Sequence, residues 1–146
     1  MSKPSIWARR KARRALVQAI YQWQLSGNSV TSIRKDFHDG DALKKADKEF
    51  FDELLGLVVS RVSELDESFV AKLDREIDKL GHVERAILRL ATVEFGHRID
   101  VPYLVVIDEY VELAKTFGAQ DSYKYINGVL DALAAELRPV EVGSRG

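Results

Sequence analysis

Between Pro4 and Pro102 the chain contains no proline, and apolar residues there recur at three- and four-residue spacings. Alternation of β-branched and polar residues is scarce. A period near 3.6 with few breakers specifies amphipathic helices rather than strands. Seven helices are predicted, over residues 6–25, 30–38, 47–64, 66–80, 83–98 and 102–117, and from Asp121 to just before Pro139. "SGN" closes the first, with Gly27 or Asn28 suited to a left-handed cap. The fifth, in "VERAILRLATVEF", is apolar around much of its circumference through Ile87, Leu88, Leu90, Ala91 and Phe95, and is expected at the centre. Pro102 suits the first turn of the sixth helix, where a missing N–H costs little. The fold class is all-α, as one domain or as two small halves sharing a core. Residues 139–146 are expected to fray, as are residues 1–5.

Composition narrows the function more by exclusion than by assertion. A chain of 146 residues buries roughly 70% of its unfolded surface, so it needs no covalent staple. Without cysteine it has neither disulfides nor thiolate metal sites, which fits a reducing compartment and makes the cytoplasm the default. No 18-residue apolar run suggests a transmembrane helix. The histidines, His38, His82 and His97, are scattered and lack the spacing of metal ligands. There is no glycine-rich phosphate loop and no nucleophile elbow. Asp108, Glu109 and Glu112 read as the solvated face of an amphipathic helix, and His97 near Asp100 as a helix-end contact. The expectation is a non-enzymatic protein without cofactor or metal.

Charge is distributed unevenly. Of 22 basic and 23 acidic residues, residues 1–14 hold six basic ones and no acid, leaving 16 basic against 23 acidic in the rest. An acidic body with a basic arm favours a polyanionic partner at one end. On a helical wheel Ala8, Ala12, Leu16, Ala19, Ile20 and Trp23 form the core-facing side of the first helix. Arg10, Arg14 and Tyr21 lie almost opposite, with Arg9 and Arg13 between the two faces. Arginine forks grip phosphates, and a displayed ring offers a stacking surface to an unpaired base.

Three other readings compete. A mitochondrial presequence is also arginine-rich but lacks a full core stripe ending in tryptophan. A solvated basic face is the default for any charge run. A membrane-surface helix would present Leu, Phe and Trp where this one presents alanine. The last helix adds a second hint: Ile126, Val129, Leu130 and Leu133 form its buried stripe, while Asp121, Lys124 and Gly128 face away and Tyr125 sits at the margin beside Lys124. Two ring-plus-cation pairings, without a helix-turn-helix, favour single-stranded RNA over duplex DNA.

"RRKARRALVQAIYQWQLSG" resembles the opening helix of the NusB family of bacterial transcription antitermination factors. "VERAILRLATVEF" and "DVPYLVVIDEYVELAKTFGAQDSYKYINGVLD" are similar to its C-terminal half. The resemblance spans nearly the whole chain and is weakest over residues 30–46 and after Arg138. It implies a single NusB-like domain over 1–146, built as two packed three-helix-like halves. It also implies binding to the boxA element of nascent ribosomal RNA and a heterodimer with NusE, a small-subunit ribosomal protein. Other Nus factors and RNA polymerase would be engaged indirectly, to suppress premature termination. A homodimer of the free protein stays open.

Carried over residue by residue, the family's RNA-contact region falls on Arg9, Arg10, Arg13 and Tyr21, with Arg89, Asp121, Lys124 and Tyr125 at its other RNA-facing positions. Glu84 falls on the NusE-facing side. The chain departs from the family pattern at several places. Tyr125 stands where phenylalanine is usual, Tyr123 for histidine, Asp108 for asparagine, Tyr110 for alanine, Val93 for tyrosine and Arg14 for an acid. Tyr110 points into the buried stripe of its helix, so an aromatic exchange with position 93 is expected. Two rivals remain: a protein-interaction module whose basic helix binds an acidic partner, and a degenerate accessory domain of an RNA methyltransferase, for which no cofactor pocket is visible.

Overall fold

The structure, a computed structural model, describes residues 5–145. Residues 1–4 and 146 lie outside them, and with them Lys3 and most of the amino end expected to be flexible. All regular structure among the described residues is helical: eight α-helices and one 3₁₀ turn, with no strand. The chain divides into two compact units, with the boundary between Ser60 and Arg61, where the sequence reading is one domain.

The first unit holds α1 (Ile6–Ser26), α2 (Val30–Asp39) and α3 (Lys48–Ser60), mutually packed. Ser5 and Ser29 start α1 and α2 by accepting the N–H groups of Ala8 and Ser32, which satisfies donors that a helix N-terminus otherwise orphans. Gly27, at φ 69°, ends α1 in the left-handed conformation, which glycine adopts at least cost. Leu16, Ile20, Ile33, Phe50, Phe51, Leu54, Leu55 and Val58 are buried between the helices. Each such side chain contributes roughly 1.5–3 kcal/mol relative to exposure. The α2–α3 loop, although polar, is pinned by the buried Leu43.

The second unit comprises α4 (Val62–Val70), α5 (His82–His97), α6 (Tyr103–Phe117), α7 (Ser122–Leu137) and α8 (Pro139–Arg145). As expected, α5 is central: it packs against α4, α6 and α7, and nearly every side chain from Glu84 to Phe95 is buried. The expected third helix is split, because Arg61 leaves helical geometry at φ −120°, ψ 22° and α4 starts afresh. The fourth ends ten residues early. No side chain from residue 70 to residue 79 is buried, so a helix there has no apolar face to dock, and only a 3₁₀ turn at Ile77–Lys79 forms.

The tail expected to fray is helical instead. Arg138, almost fully buried, donates to the carbonyls of Phe95, Arg98 and Val101 and to the Glu141 carboxylate at 2.6–3.1 Å. Glu141 in turn accepts the Tyr103 N–H at the start of α6. One arginine thus ties the end of α5 to the start of α8. Tyr110 is buried, as its wheel position requires, and its hydroxyl donates to the buried Glu94 carboxylate at 2.8 Å. Val93 is buried too. No helix among the described residues is long and apolar enough to cross a membrane.

Candidate nucleic-acid interface

Helix periodicity divides the basic stretch into two flanks. Arg9 and Arg13, four residues apart, turn toward α3. Their guanidinium carbons lie 4.9 and 5.1 Å from the centroid of the Phe50 ring. Arg9 also donates to Asp47 at 3.3 Å. Asp47 is itself built in: its other carboxylate oxygen accepts the Phe50 N–H and so caps α3, and its own N–H donates to the Ala8 carbonyl. Arg13 is only 3% exposed. Its place between the faces of the wheel resolves inward, so its stem and guanidinium cover apolar surface instead of facing solvent.

The other flank faces outward. Arg10, Arg14, Gln18 and Tyr21 succeed one another at steps of four, four and three residues, and all are exposed. Side chains at those steps share one face of a helix. Arg10 lies 4.9 Å from the centroid of the exposed Trp7 ring, and Tyr21 is 37% exposed. The face therefore carries guanidinium groups between two aromatic rings. Trp23, expected to end the core stripe, is half-buried.

In the second unit the sequence pairs Tyr125 with Lys124, but the structure pairs it with Arg75, whose guanidinium carbon lies 4.3 Å from the ring centroid. The Asp74 N–H donates to the Tyr125 hydroxyl at 3.2 Å, and Arg75 donates to the Asp74 carboxylate at 2.6 Å. Partial burial raises the Tyr125 phenol above its ordinary value of 10, and the Arg75 hydrogen bond holds the Asp74 carboxyl below its ordinary 3.8. Lys124 reaches instead toward Tyr123 and Asp121. Asp121, at φ 65°, is the exposed residue from which α7 starts. Arg75, Glu84, Asp121, Ser122 and Tyr125 line a concavity of about 370 Å³, in which the Ser122 hydroxyl is buried without a hydrogen-bond partner.

Two expected site residues have internal roles. Arg89 grips Asp66 with two hydrogen bonds, at 2.9 and 2.8 Å, bracing α5 against α4. Glu84, expected on a partner-facing surface, is only 7% exposed and accepts the Ala119 N–H at 3.1 Å. That contact holds the α6–α7 turn so closely that a β-carbon on Gly118 would lie 2.7 Å from the Ala114 carbonyl oxygen and equally near Glu84. The sequence reading missed Arg75, whose neighbour Asp74 is the only local signal. No cluster of side chains that could hold a metal ion occurs among the described residues.

An all-helical chain with a doubly faced basic helix defines the class. The model of the NusB family matches residues 10–135. The transcription antitermination protein NusB of Alcanivorax borkumensis is 52% identical over 144 residues, covering 99% of this chain and 95% of its own. That of Baumannia cicadellinicola is 51% identical over 134 residues, covering 92% and 96%. Among solved structures, T. maritima NusB superposes with a TM-score of 0.79 at 29% identity, covering 93% of this chain and 94% of that one. A structure of antitermination factors NusB and NusE in complex with dsRNA superposes at 0.77 and 28%, covering 88% and 97%. The chain belongs to the NusB family.

Proposed function

We infer that this chain is a non-enzymatic, RNA-binding transcription antitermination factor of the bacterial cytoplasm. It recognises the boxA element of nascent ribosomal RNA together with NusE, and reaches RNA polymerase through other Nus factors. The observation that carries the reading is the outward face of α1, where Arg10 and Arg14 lie between the exposed rings of Trp7 and Tyr21. Guanidinium forks neutralise phosphates while rings stack on unpaired bases.

Arg9 and Arg13 act from beneath, by seating the helix on Phe50 and Asp47. In the second unit Tyr125, Asp121 and Lys124 form a separate share of the RNA contact, with Arg75 added. Tyr125 offers its ring once Arg75 swings from it to a phosphate. Arg89 and Glu84 serve the fold. Relatives named as transcription antitermination proteins, and a structural neighbour solved as NusB and NusE in complex with dsRNA, support the biological setting.

Fluorescence anisotropy with a labelled boxA strand, a scrambled strand and a duplex of equal length, with and without NusE, tests this. If about five phosphates are neutralised, log K falls with log salt at a slope of roughly −3.5, so fourfold more salt weakens binding about a hundredfold. A preference for the boxA strand, strengthened by NusE, is expected. Equal and weak binding to all three probes, with a slope near zero, would overturn it in favour of a protein-interaction module.

A further inference from the structure

A second basic feature of the first unit lies beside the outward face of α1. Lys11, Arg14 and Gln18 from α1 and Asp41, Lys44 and Lys45 from the α2–α3 loop line a concavity of about 500 Å³. Four cations against one carboxylate focus a positive potential there, and the recess concentrates it further. The backbone of the loop is fixed beside α1. Leu43 is buried beneath it, the Lys44 N–H donates to the Asp41 carbonyl and the Ala46 N–H to the Leu43 carbonyl. The Asp47 N–H ties the loop's end to the Ala8 carbonyl on α1.

Lys45 stands at φ 64°, in the left-handed region that disfavours a side chain of its kind. Its positive φ belongs to the third position of the Leu43–Ala46 turn, which carries the loop back toward α1. Cations of like sign gathered around a recess are what a site for an anion displays.

We propose that this concavity is a phosphate subsite for the backbone of a single RNA strand. The strand would run from the Arg10, Arg14 and Tyr21 face into the recess. Arg14 and Gln18 belong to both, so the two surfaces are continuous along α1. Lys44 and Lys45 supply charge to phosphates, Gln18 supplies amide hydrogen bonds to phosphate or ribose oxygens, and Asp41 opposes the strand. The proposal rests on the RNA-binding reading above and adds residues to it.

The test compares the native chain with Lys44→Gln/Lys45→Asn, in which asparagine tolerates the left-handed backbone, and with Asp41→Asn. Binding of a labelled boxA single strand is followed across a salt series, with polyglutamate as a competing protein-like anion, and thermal melting confirms folding. The double variant should melt within a few degrees of the native chain. Its salt slope should be shallower by about 1.4, the share of two phosphates, with affinity at low salt down roughly tenfold or more. Asp41→Asn should bind about two- to threefold tighter, as the like charge is removed.

An unchanged slope in a folded double variant, while the native chain binds with a steep slope, would overturn the subsite and leave the RNA reading intact. A native chain without salt-dependent RNA binding would overturn both. Displacement of polyglutamate, but not of RNA, by the double substitution would assign the recess to an acidic protein segment and equally overturn the proposal.

Discussion

The outward face of α1 and the arginines of the second unit are made of the same side chain put to opposite uses. Arg89 is locked to Asp66, Arg75 to Asp74, and Arg138 to Glu141 and three backbone carbonyls. On the outward face of α1, Arg10 and Arg14 are exposed beside the rings of Trp7 and Tyr21. The difference teaches that counting basic residues misjudges a polyanion site. What matters is which guanidinium groups the fold commits to contacts that hold its own elements, because such a group must give up its partner before it can hold a phosphate.

The largest effect that can break this comparison is at Arg138. Arg138→Ala removes a buried guanidinium from the carbonyls of Phe95, Arg98 and Val101 and leaves Glu141 without it. A loss of about 3–5 kcal/mol is expected in urea unfolding. Arg89→Ala should cost less, about 1–3 kcal/mol, because its pair with Asp66 is only partly buried. RNA affinity per folded molecule should not change in either variant. Tyr110→Phe comes next: it takes the hydroxyl from the buried Glu94 carboxylate, for a loss of about 1–2 kcal/mol by thermal melting.

The smallest effect is electrostatic. The Asp74 carboxyl is held below its usual 3.8 chiefly by the Arg75 hydrogen bond, so its ionised form favours the folded state. That contribution is present above pH 3.8 and is lost as pH falls through the lower folded value. A melting comparison of Asp74→Asn with the native chain should therefore show a difference near neutrality that closes on acidification.

Helix existence was legible wherever an apolar stripe met a breaker. Gly27, Pro102 and Asp121 mark their boundaries to within a residue. The split at Arg61 was not, because no glycine or proline stands there and the apolar spacing runs on past it. The helical tail was not legible for a related reason: α8 forms through Arg138 and Glu141, and the reach of Arg138 back to Phe95 lies outside any local window.

The basic helix itself was plain in the sequence, and the wheel placed Arg10, Arg14 and Tyr21 outside. Arg13 lay between the faces, and only the position of Phe50 decided that it turned inward. Lys44 and Lys45 looked like part of an ordinary polar loop, since nothing in their neighbourhood reveals that Leu43 anchors them beside α1. The sequence pairs Tyr125 with its neighbour Lys124, whereas the fold sets Arg75, fifty residues away, over the ring.

One measurement goes directly to the contrast between the outward face of α1 and the arginines of the second unit: the salt slope of boxA RNA binding for Arg10→Gln/Arg14→Gln beside that for Arg75→Gln/Arg89→Gln. The first pair should make the slope shallower by about 1.4 while leaving the melting temperature nearly unchanged. The second should lower the melting temperature and make the slope shallower by about 0.7, the share of the one phosphate that Arg75 takes. A slope untouched by the first pair and reduced by the second would contradict the assignment of the RNA grip to the outward face of α1.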